Sequence, residues 1–230
     1  MNAVQMSIFD YEQNCLHNNK YVRRIEYNET KPFLLGIHYA RRMPCITDAF
    51  GLFIDEKLVG VVTYGVPASP NLCTGLAGYE NRKRVLELNR LVLLPDEQQQ
   101  NNASFLVSHS LKMLQNIYIY IYVVSYADWG GWGHVGYVYQ ATNFLYTGLT
   151  KARTDKKPIN GGHSRHYAKG ETQRVQRTAK HRYVYLVGDK RHRKQMLKEL
   201  KYPIISDYPK GDTRHYDTNN PVSLLNKENE

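Results

Sequence analysis

The stretch Val124–Thr147, VSYADWGGWGHVGYVYQATNFLYT, decides the fold. The run that leads into it, YIYIYVV at Tyr118–Val124, is rich in aromatic and β-branched residues and predicts a buried strand. WGGWG predicts a turn, and the apolar spacing of His134–Tyr146 is close to the helical period. The stretch therefore predicts strand, turn and helix. Ser125 and Asp128 fall at the carboxyl end of the strand, where open α/β sheets place their ligand crevices.

The flanking sequence predicts an alternation of strands and helices. The predicted elements are a strand at Tyr21–Tyr27, a helix from Asn28 or Thr30 to before Pro44, a hairpin of Phe50–Asp55 and Leu58–Tyr64, a loop at Gly65–Gly78, a strand at Val85–Leu94, a helix at Ala103–Gln115, and, after the central stretch, a strand at Arg182–Val187 and a helix at Asp189–Leu200. This order predicts a mixed α/β fold.

Length and composition favour one domain. The 230 residues divide into a flexible arm at 1–19, a single domain at 20–200 and a disordered tail at 202–230. Cys15, Cys45 and Cys73 lack CxxC spacing, which argues against a disulfide framework or a cysteine zinc site and favours a reducing cytosol. The sequence shows neither a charged-then-apolar leader nor an apolar run of about 18 residues, so we expect no signal peptide and no membrane helix.

Positive charge is concentrated in residues 151–201. This segment holds sixteen Lys and Arg against four Asp and Glu, a net charge of +12, whereas residues 1–150 are neutral. A block of one sign, interleaved with His and Tyr, favours a polyanion partner, and we expect double-stranded DNA. A basic tail that only aids solubility is the alternative. The expected DNA contacts in the segment are Lys156, Lys157, Arg165, Arg174 and Arg177.

Three phrases carry a family resemblance. SYAD with GHVGYVYQATNFLYTG, IHYARRMP at Ile37–Pro44 and LELNRLVL at Leu86–Leu93 together resemble the Mom family of phage DNA-modification proteins. The resemblance spans about Ile37 to Gly148. It implies the fold of the N-acetyltransferase (GNAT) superfamily: a mixed central sheet with two splayed strands, Val85–Leu94 and Tyr118–Tyr126, flanked by helices.

The resemblance also implies an activity. Mom proteins convert adenine in phage DNA to an N6-carbamoylmethyl derivative, which hides sites from host restriction enzymes. The expected location is then the cytoplasm of the infected host, with no membrane contact. The oligomeric state stays open, with a homodimer as one alternative.

Asp128 and Ser125 are the first candidate catalytic residues. Asp128 could accept a proton from an attacking amine or bind a metal, and Ser125 could donate a hydrogen bond to a substrate carbonyl. The alternative for Asp128 is a cap on the following helix.

A second group of candidates falls on the predicted first helix. His38 and Tyr39 precede Arg41 and Arg42, two cations suited to a phosphate- or base-facing surface. A lone helical histidine is more often a packing residue. The resemblance implies that the His-Tyr pair is functional and that some members bind iron, which makes His38 and Asp128 candidate ligands.

Arg90 and Tyr139 complete the catalytic set. Arg90 interrupts an apolar strand and is expected on the substrate carbonyl or the donor phosphate; a structural pair between Glu87 and an arginine is the alternative. The resemblance to GNAT enzymes implies that Tyr139 is the general acid, with Asn143 a secondary candidate.

The donor site departs from the GNAT pattern. The usual glycine-containing pyrophosphate loop is replaced by QQQNNAS, so coenzyme A binding is in doubt, and Asn101, Asn102 and Ser104 at a helix start are the candidate donor contacts. A carbamoylmethyl product needs a bond from N6 to a methylene carbon, which simple acetyl transfer does not make. The identity of the acyl-type donor stays open.

Adenine N6 is buried in a base pair, so this activity requires base flipping, with Trp129 and Trp132 stacking on the base or filling its gap. Covering the sheet edge is the alternative for the tryptophans. Two other functions remain: an acyl-CoA-dependent N-acetyltransferase acting on an amine or protein, and a nucleic-acid-binding protein without enzymatic activity.

Overall fold

A computed structural model describes residues 19–98, 101–128, 133–159 and 172–211, with only the backbone described at 157 and 158. Trp129, Trp132 and Arg165 lie outside these ranges, as do residues 1–18 of the predicted arm. No described helix is long and apolar enough to cross a membrane.

Seven strands form one mixed sheet in the order β1-β2-β3-β4-β5-β9-β6. They are β1 (Lys20–Arg24), β2 (Asp48–Ile54), β3 (Lys57–Gly65), β4 (Val85–Leu93), β5 (Tyr120–Asp128), β6 (Leu145–Leu149) and β9 (Lys180–Gly188). A separate two-stranded hairpin consists of β7 (Arg153–Pro158) and β8 (Thr172–Arg177). Only the β4–β5 pair is parallel among the described strand pairs.

The α-helices among the described residues flank the sheet: α1 (Tyr27–Lys31), which continues as a π-helix at Pro32–Ile37, α2 (Pro70–Asn81), α3 (Asn102–Ile117), α4 (Tyr137–Ala141) and α5 (Lys190–Glu199). Strand residues alternate between the faces. Ile121 and Val123 of β5 share one core with α3, and Tyr122 and Val124 share the opposite core with α2 and α5. The predicted α/β architecture is confirmed.

The parallel pair opens halfway along its length. Val85–Glu87 pair with Tyr122–Val124, and beyond these residues β4 and β5 separate. β5 stays paired with β9 as far as Asp128 and Lys180. The opening is therefore between β4 and β5, which confirms the predicted splayed strands.

The structure corrects two predicted elements. The predicted loop Gly65–Gly78 contains most of α2, because Pro70 sits in its first turn and Cys73, Leu76 and Ala77 fall on one buried side. The helix predicted over His134–Tyr146 ends at Ala141 and is followed by β6. Asn143 has a left-handed φ of 60°, which breaks the helix after one turn and redirects the chain into the sheet.

Residues 202–211 were assigned by sequence to the disordered tail, and the structure describes them against the sheet edge. The Tyr208 hydroxyl donates to the Phe144 carbonyl at 2.7 Å, and Ile205 forms a bridge with Tyr146. The Arg182 guanidinium lies 3.4 Å from the Tyr202 ring centroid. The polar composition of these residues predicted disorder, but the contacts of their tyrosines hold them against the sheet. Residues 212–230 lie outside the described ranges.

Candidate active-site cleft

A cleft of about 1300 Å³ opens where β4 and β5 separate. Its walls come from both strands, from α4, from the segment after the π-helix and from the β7–β8 hairpin. Glu87 and Asp128 are the carboxylates among its described lining residues, and Arg42, Arg90, Lys151, Arg153, Arg177 and Lys180 are the cations. The cleft thus places acids, cations and tyrosines together at the carboxyl ends of two central strands.

A bulge shapes the β4 wall. The register between β3 and β4 shifts, so that Thr63 opposes Arg90 while Tyr64 opposes Leu88, and Asn89 is the extra residue. The Asn89 amide donates to the Cys45 carbonyl at 2.8 Å and accepts from the Thr63 hydroxyl at 2.6 Å. Asn89 therefore ties the segment that follows the π-helix to the central sheet.

His38 and Tyr39 do not lie on a helix, contrary to the prediction. The His38 N–H closes the π-helix on the Phe33 carbonyl, and His38 itself is extended, with ψ of 134°. A turn then follows, in which the Arg41 N–H donates to the His38 carbonyl at 2.9 Å and Arg41 has φ of 40°. The wide π turn ends the helix early and turns the chain over the cleft.

The His38 ring is buried, and Tyr39 stacks on it with 53% of its surface exposed. Burial, followed by the charges of Arg90 and Arg42, lowers the pKa of His38 to about 3. The ring is therefore neutral at physiological pH. Arg42 lines the cleft beside it, while Arg41 is exposed.

His38 and Asp128 do not fit a metal site. The Nδ1 atom of His38 accepts the Ala40 N–H at 3.0 Å, so the single proton of the neutral ring is on Nε2. Ligation through Nε2 would move that proton to Nδ1, against the Ala40 N–H. Within the described part of the chain, no group of three His, Cys, Asp or Glu side chains could hold a metal ion.

Arg90 extends from the bulge into the cleft. One of its terminal nitrogens donates to the Asn89 carbonyl at 2.5 Å, while its buried Nε has no hydrogen-bond partner among the described residues. Burial lowers the pKa of Arg90, and Tyr39 opposes that shift. An unpaired buried donor costs about 1–3 kcal/mol. A bound anion or carbonyl would satisfy it.

Ser125 faces the gap between the two strands and is bonded within the protein, and its role toward a substrate carbonyl stays a prediction. It is 1% exposed, and its hydroxyl donates to the Leu88 carbonyl at 3.1 Å, just beyond the last paired residues. The hydroxyl replaces the ladder bond that the splay removes.

Tyr139, on α4, lines the cleft next to Ser125. Burial raises the pKa of Tyr139 to about 12, and a hydrogen bond with Ser125 opposes the shift. The phenol is thus protonated at neutral pH and able to donate. Tyr139 and Ser125 are thus neighbours at the splay.

Asp128 does not cap α4, because that helix begins after Gly136 without a side-chain cap. Its carboxylate instead lies 2.8 Å from Lys180 Nζ and accepts from the Thr178 hydroxyl at 2.9 Å. Thr178 and Lys180 both lie where the chain passes from the β7–β8 hairpin into β9. The pair therefore joins the end of β5 to the wall of the cleft.

The candidate donor contacts at the start of α3 are bonded within the protein. The Asn102 amide donates to the Glu97 carbonyl at 2.8 Å, its oxygen accepts from Lys20, and Ser104 donates to the Asn101 carbonyl. Asn101 has φ of 72°, a conformation that asparagine adopts more readily than most residues and that glycine otherwise provides. Gln98 and Ala103 from this region line the cleft.

The expected DNA contacts are partly brought to the cleft. Arg177 lines it, while Lys156 and Arg174 oppose each other in the β7–β8 hairpin. Arg153 and Arg177 both approach Asp155, the acid of this hairpin. Arg165 and the tryptophans fall outside the described residues, as does the Lys157 side chain.

Sequence reasoning missed several residues of the cleft. Glu87, weighed only as a structural partner, lies near Tyr139, Tyr126 and Arg90, whose pKa values its charge raises. His134 lines the cleft, and burial lowers its pKa, with Asp128 opposing. The polar pattern of β4 could have indicated Glu87. Nothing in the local sequence indicates that Lys180 meets Asp128.

Comparison with known proteins gives one family and one curated relative. The family model of the Mom protein family matches residues 19–204. The methylcarbamoylase mom of Escherichia phage Mu is 33% identical over 115 residues, which are 48% of this chain and 46% of that protein. The matched region thus spans less than half of that relative.

Among solved structures, the ribosomal-protein-S5-alanine acetyltransferase from Vibrio fischeri matches with a TM-score of 0.46 and 10% identity, over 76% of this chain and 96% of that one. An N-acetyltransferase from Staphylococcus aureus Mu50 matches with a TM-score of 0.45 and 14% identity, over 73% and 98%.

Proposed function

The chain belongs to the Mom protein family, and on that premise we propose that it is a phage DNA-modification enzyme that places a carbamoylmethyl group on adenine N6. The observation that carries this proposal is the family match over residues 19–204, because it includes every described residue of the cleft. The name of the phage Mu relative, methylcarbamoylase, supports the same group.

The reaction sets the chemical demands on the cleft. A bond forms between N6 and the methylene carbon of a carbamoylmethyl donor, the donor's leaving group departs with its bonding electrons, and N6 loses one proton. The product is N6-carbamoylmethyladenine plus the protonated leaving group. The cleft must hold the donor carbonyl, accept the N6 proton and protonate the leaving group.

Three residues fit the donor side. Arg90 has an unpaired buried Nε and is suited to hold the carbonyl or another electron-rich group of the donor. Tyr139 is a protonated phenol at the splay and is suited to protonate the leaving group. His38 is neutral and carries its proton on Nε2, so that it donates a hydrogen bond without adding charge.

Two carboxylates are candidates for the proton acceptor. Asp128 is the choice from the sequence motif, and it stands at the end of β5 in an ion pair with Lys180. Glu87 is the last residue of β4 that pairs with β5 before the two strands separate, and it lies near Tyr139. Asp128 remains our proposed acceptor, and Glu87 is the alternative that the geometry adds.

The β7–β8 hairpin supports DNA as the substrate. Its cations continue the cleft wall, and phosphate contacts there would hold a duplex while one adenine is flipped toward Arg90 and Tyr139. An acyl-CoA-dependent N-acetyltransferase is the second candidate, favoured by the GNAT-like splay of β4 and β5. A purely binding protein leaves the unpaired Arg90 Nε unexplained.

Mass spectrometry of nucleosides from the DNA of expressing cells tests the proposal. We expect a deoxyadenosine derivative heavier by a carbamoylmethyl group, and DNA that resists some restriction enzymes. Unmodified deoxyadenosine under good soluble expression contradicts the proposal. An acetylated amine or protein under the same conditions supports the second candidate.

Paired substitutions then identify the proton acceptor. Asp128→Asn and Glu87→Gln each keep shape and remove the basic carboxylate, and loss of the true acceptor lowers the rate by roughly 100- to 10,000-fold. Thermal melting is the folding control. If Asp128→Asn keeps near-normal modification and Glu87→Gln does not, Glu87 is the acceptor.

A further inference from the structure

The +12 segment is divided in the fold between opposite ends of the sheet. The β7–β8 hairpin lies at the cleft, where β5 ends at Asp128. Helix α5 follows β9 and lies where β5 begins at Tyr120, since Gly188 at the end of β9 pairs with Tyr120. This division could not be predicted from the sequence, because the two halves are contiguous in the chain.

At the α5 end, basic residues from two separate elements surround one aromatic ring. The Arg84 guanidinium, from the 3₁₀ turn before β4, lies 4.1 Å from the Tyr120 ring centroid. The His192 ring of α5 stacks on Tyr120 at 5.1 Å. A groove of about 640 Å³ beside Tyr120 is lined by Arg191, Lys194 and Lys198, among others. We call Arg84, Arg191, Lys194 and Lys198, with their neighbours Arg82, Lys83, Lys190 and Arg193, the α5 surface.

The cations of the α5 surface are not neutralised by nearby acids. None of the salt bridges found among the described residues includes one of its lysines or arginines. Asp189 caps α5 through the His192 N–H, and Glu199 accepts from Asn81, Gln195 and Tyr122. Asp189 and Glu199 keep their negative charge, but the eight lysines and arginines of the α5 surface outnumber them, so the surface stays positive.

The two basic surfaces lie far enough apart to act as separate patches of charge. β5 has nine residues, so its ends are roughly 26 Å apart at about 3.3 Å per residue. That exceeds the Debye length of about 8 Å at physiological salt. A duplex seated at the cleft reaches the α5 surface only by following the protein for most of a helical turn of about 34 Å.

We propose that the α5 surface is a second nucleic-acid site, which binds the phosphate backbone of DNA away from the adenine being modified. The inference rests on the proposed function for its choice of DNA as the polyanion. Stacking on Tyr120 restrains Arg84 and fixes the direction of its N–H groups, which suits contact with phosphate oxygens. Such a site would hold the enzyme on its substrate between modification events.

The stoichiometry of binding short duplexes tests the proposal. With hairpin duplexes of about six base pairs, roughly 20 Å long at about 3.4 Å per base pair and so too short to span both surfaces, we expect the wild-type chain to bind two at low salt. The triple variant Arg84→Gln, Arg191→Gln, Lys194→Gln should bind one, and its slope of log affinity against log salt on a long duplex should fall by about 2.7, at about 0.9 per phosphate contact. Native mass spectrometry and fluorescence anisotropy give the two readouts.

A matched control removes the same charge elsewhere. Lys31, Lys57 and Lys112 are exposed and lie outside both surfaces, so their triple glutamine variant should keep two duplexes per chain. One duplex bound by the wild type, or no change in the α5 variant, overturns the proposal. Tighter binding to vesicles that contain phosphatidylserine, lost in the α5 variant, would also overturn it in favour of a membrane surface.

The outcome is separable from the proposed function. The α5 variant should still modify adenine in short duplexes, because its substitutions lie outside the cleft. Two bound duplexes without any modified adenine would contradict the proposed function and leave the second site standing. Modified adenine with only one bound duplex would support the proposed function and contradict the second site.

Discussion

The two ends of the β4–β5 pair contrast in how their polar groups are satisfied. At the paired end, the Tyr122 hydroxyl donates to Glu199, which also accepts from Asn81, so the protein bonds its own polar atoms. At the splayed end, Ser125 replaces one missing ladder bond, but the Arg90 Nε remains without a partner among the described residues. The buried Arg90 donor at the splayed end identifies the cleft as the place where a reacting ligand would complete the bonding of these two strands.

The largest effect is expected from Tyr139→Phe at the splayed end. Removing the hydroxyl removes the proposed proton donor, and the modification rate should fall roughly 100- to 10,000-fold while the melting temperature changes little. Modified adenine at matched soluble protein is the measurement. Tyr79→Phe, on α2, exposed and outside the described lining of the cleft, is the control and should keep normal activity. Equal activity of the two variants would remove Tyr139 from the mechanism.

Acid should destabilise the splayed end through His38. Its pKa is about 3 in the folded chain against about 6.5 when unfolded, so between these values the unfolded chain binds more protons. The free energy of unfolding should therefore fall as the pH falls from about 6.5 toward 3, by on the order of a few kcal/mol. Urea unfolding at pH 7 and pH 4.5 measures this loss. It should be smaller in His38→Gln; an equal loss in both proteins would show that His38 is not held neutral.

Asn89→Ala should loosen the segment over the cleft. The substitution removes the bonds to Cys45 and Thr63 and leaves the buried Thr63 hydroxyl without its partner, which costs about 1–3 kcal/mol. Hydrogen exchange should rise over residues 38–47, and modification should fall. Asn81→Ala, at the paired end, is the control, since it should lower stability without increasing exchange in that segment. Unchanged exchange in Asn89→Ala would mean that other contacts hold the segment.

The smallest effect is expected from Tyr122→Phe at the paired end. Loss of its hydrogen bonds to Glu199 and the Met196 carbonyl should lower the free energy of unfolding by about 1 kcal/mol. The modification rate should stay normal, because the Tyr122 side chain packs with α2 and α5 rather than lining the cleft. A large loss of rate without unfolding would contradict the separation of the two ends.

The sequence by itself determined the sheet-forming runs, the order of most elements and the region of the site. Hydrophobic period and turn residues act over a few neighbours, so the apolar run before Ser125 and the hairpin of β2 and β3 could be recognised locally. The polar residues Glu87, Asn89 and Arg90 in an apolar strand likewise marked a site. The apolar spacing did not predict where α4 ends, because the single residue Asn143 turns the chain into β6.

Tertiary structure alone decided what these residues contact. The register shift that places Arg90 in the cleft, the bond from Ser125 to Leu88 and the pair of Asp128 with Lys180 depend on strands that are distant in sequence. The neutral state of His38 depends on burial beside Arg90, and the division of the basic segment depends on the direction of β9. All of these features depend on which strands pair in the sheet. The residues of one strand determine its alternation of buried and exposed side chains, but they do not determine which strand lies beside it.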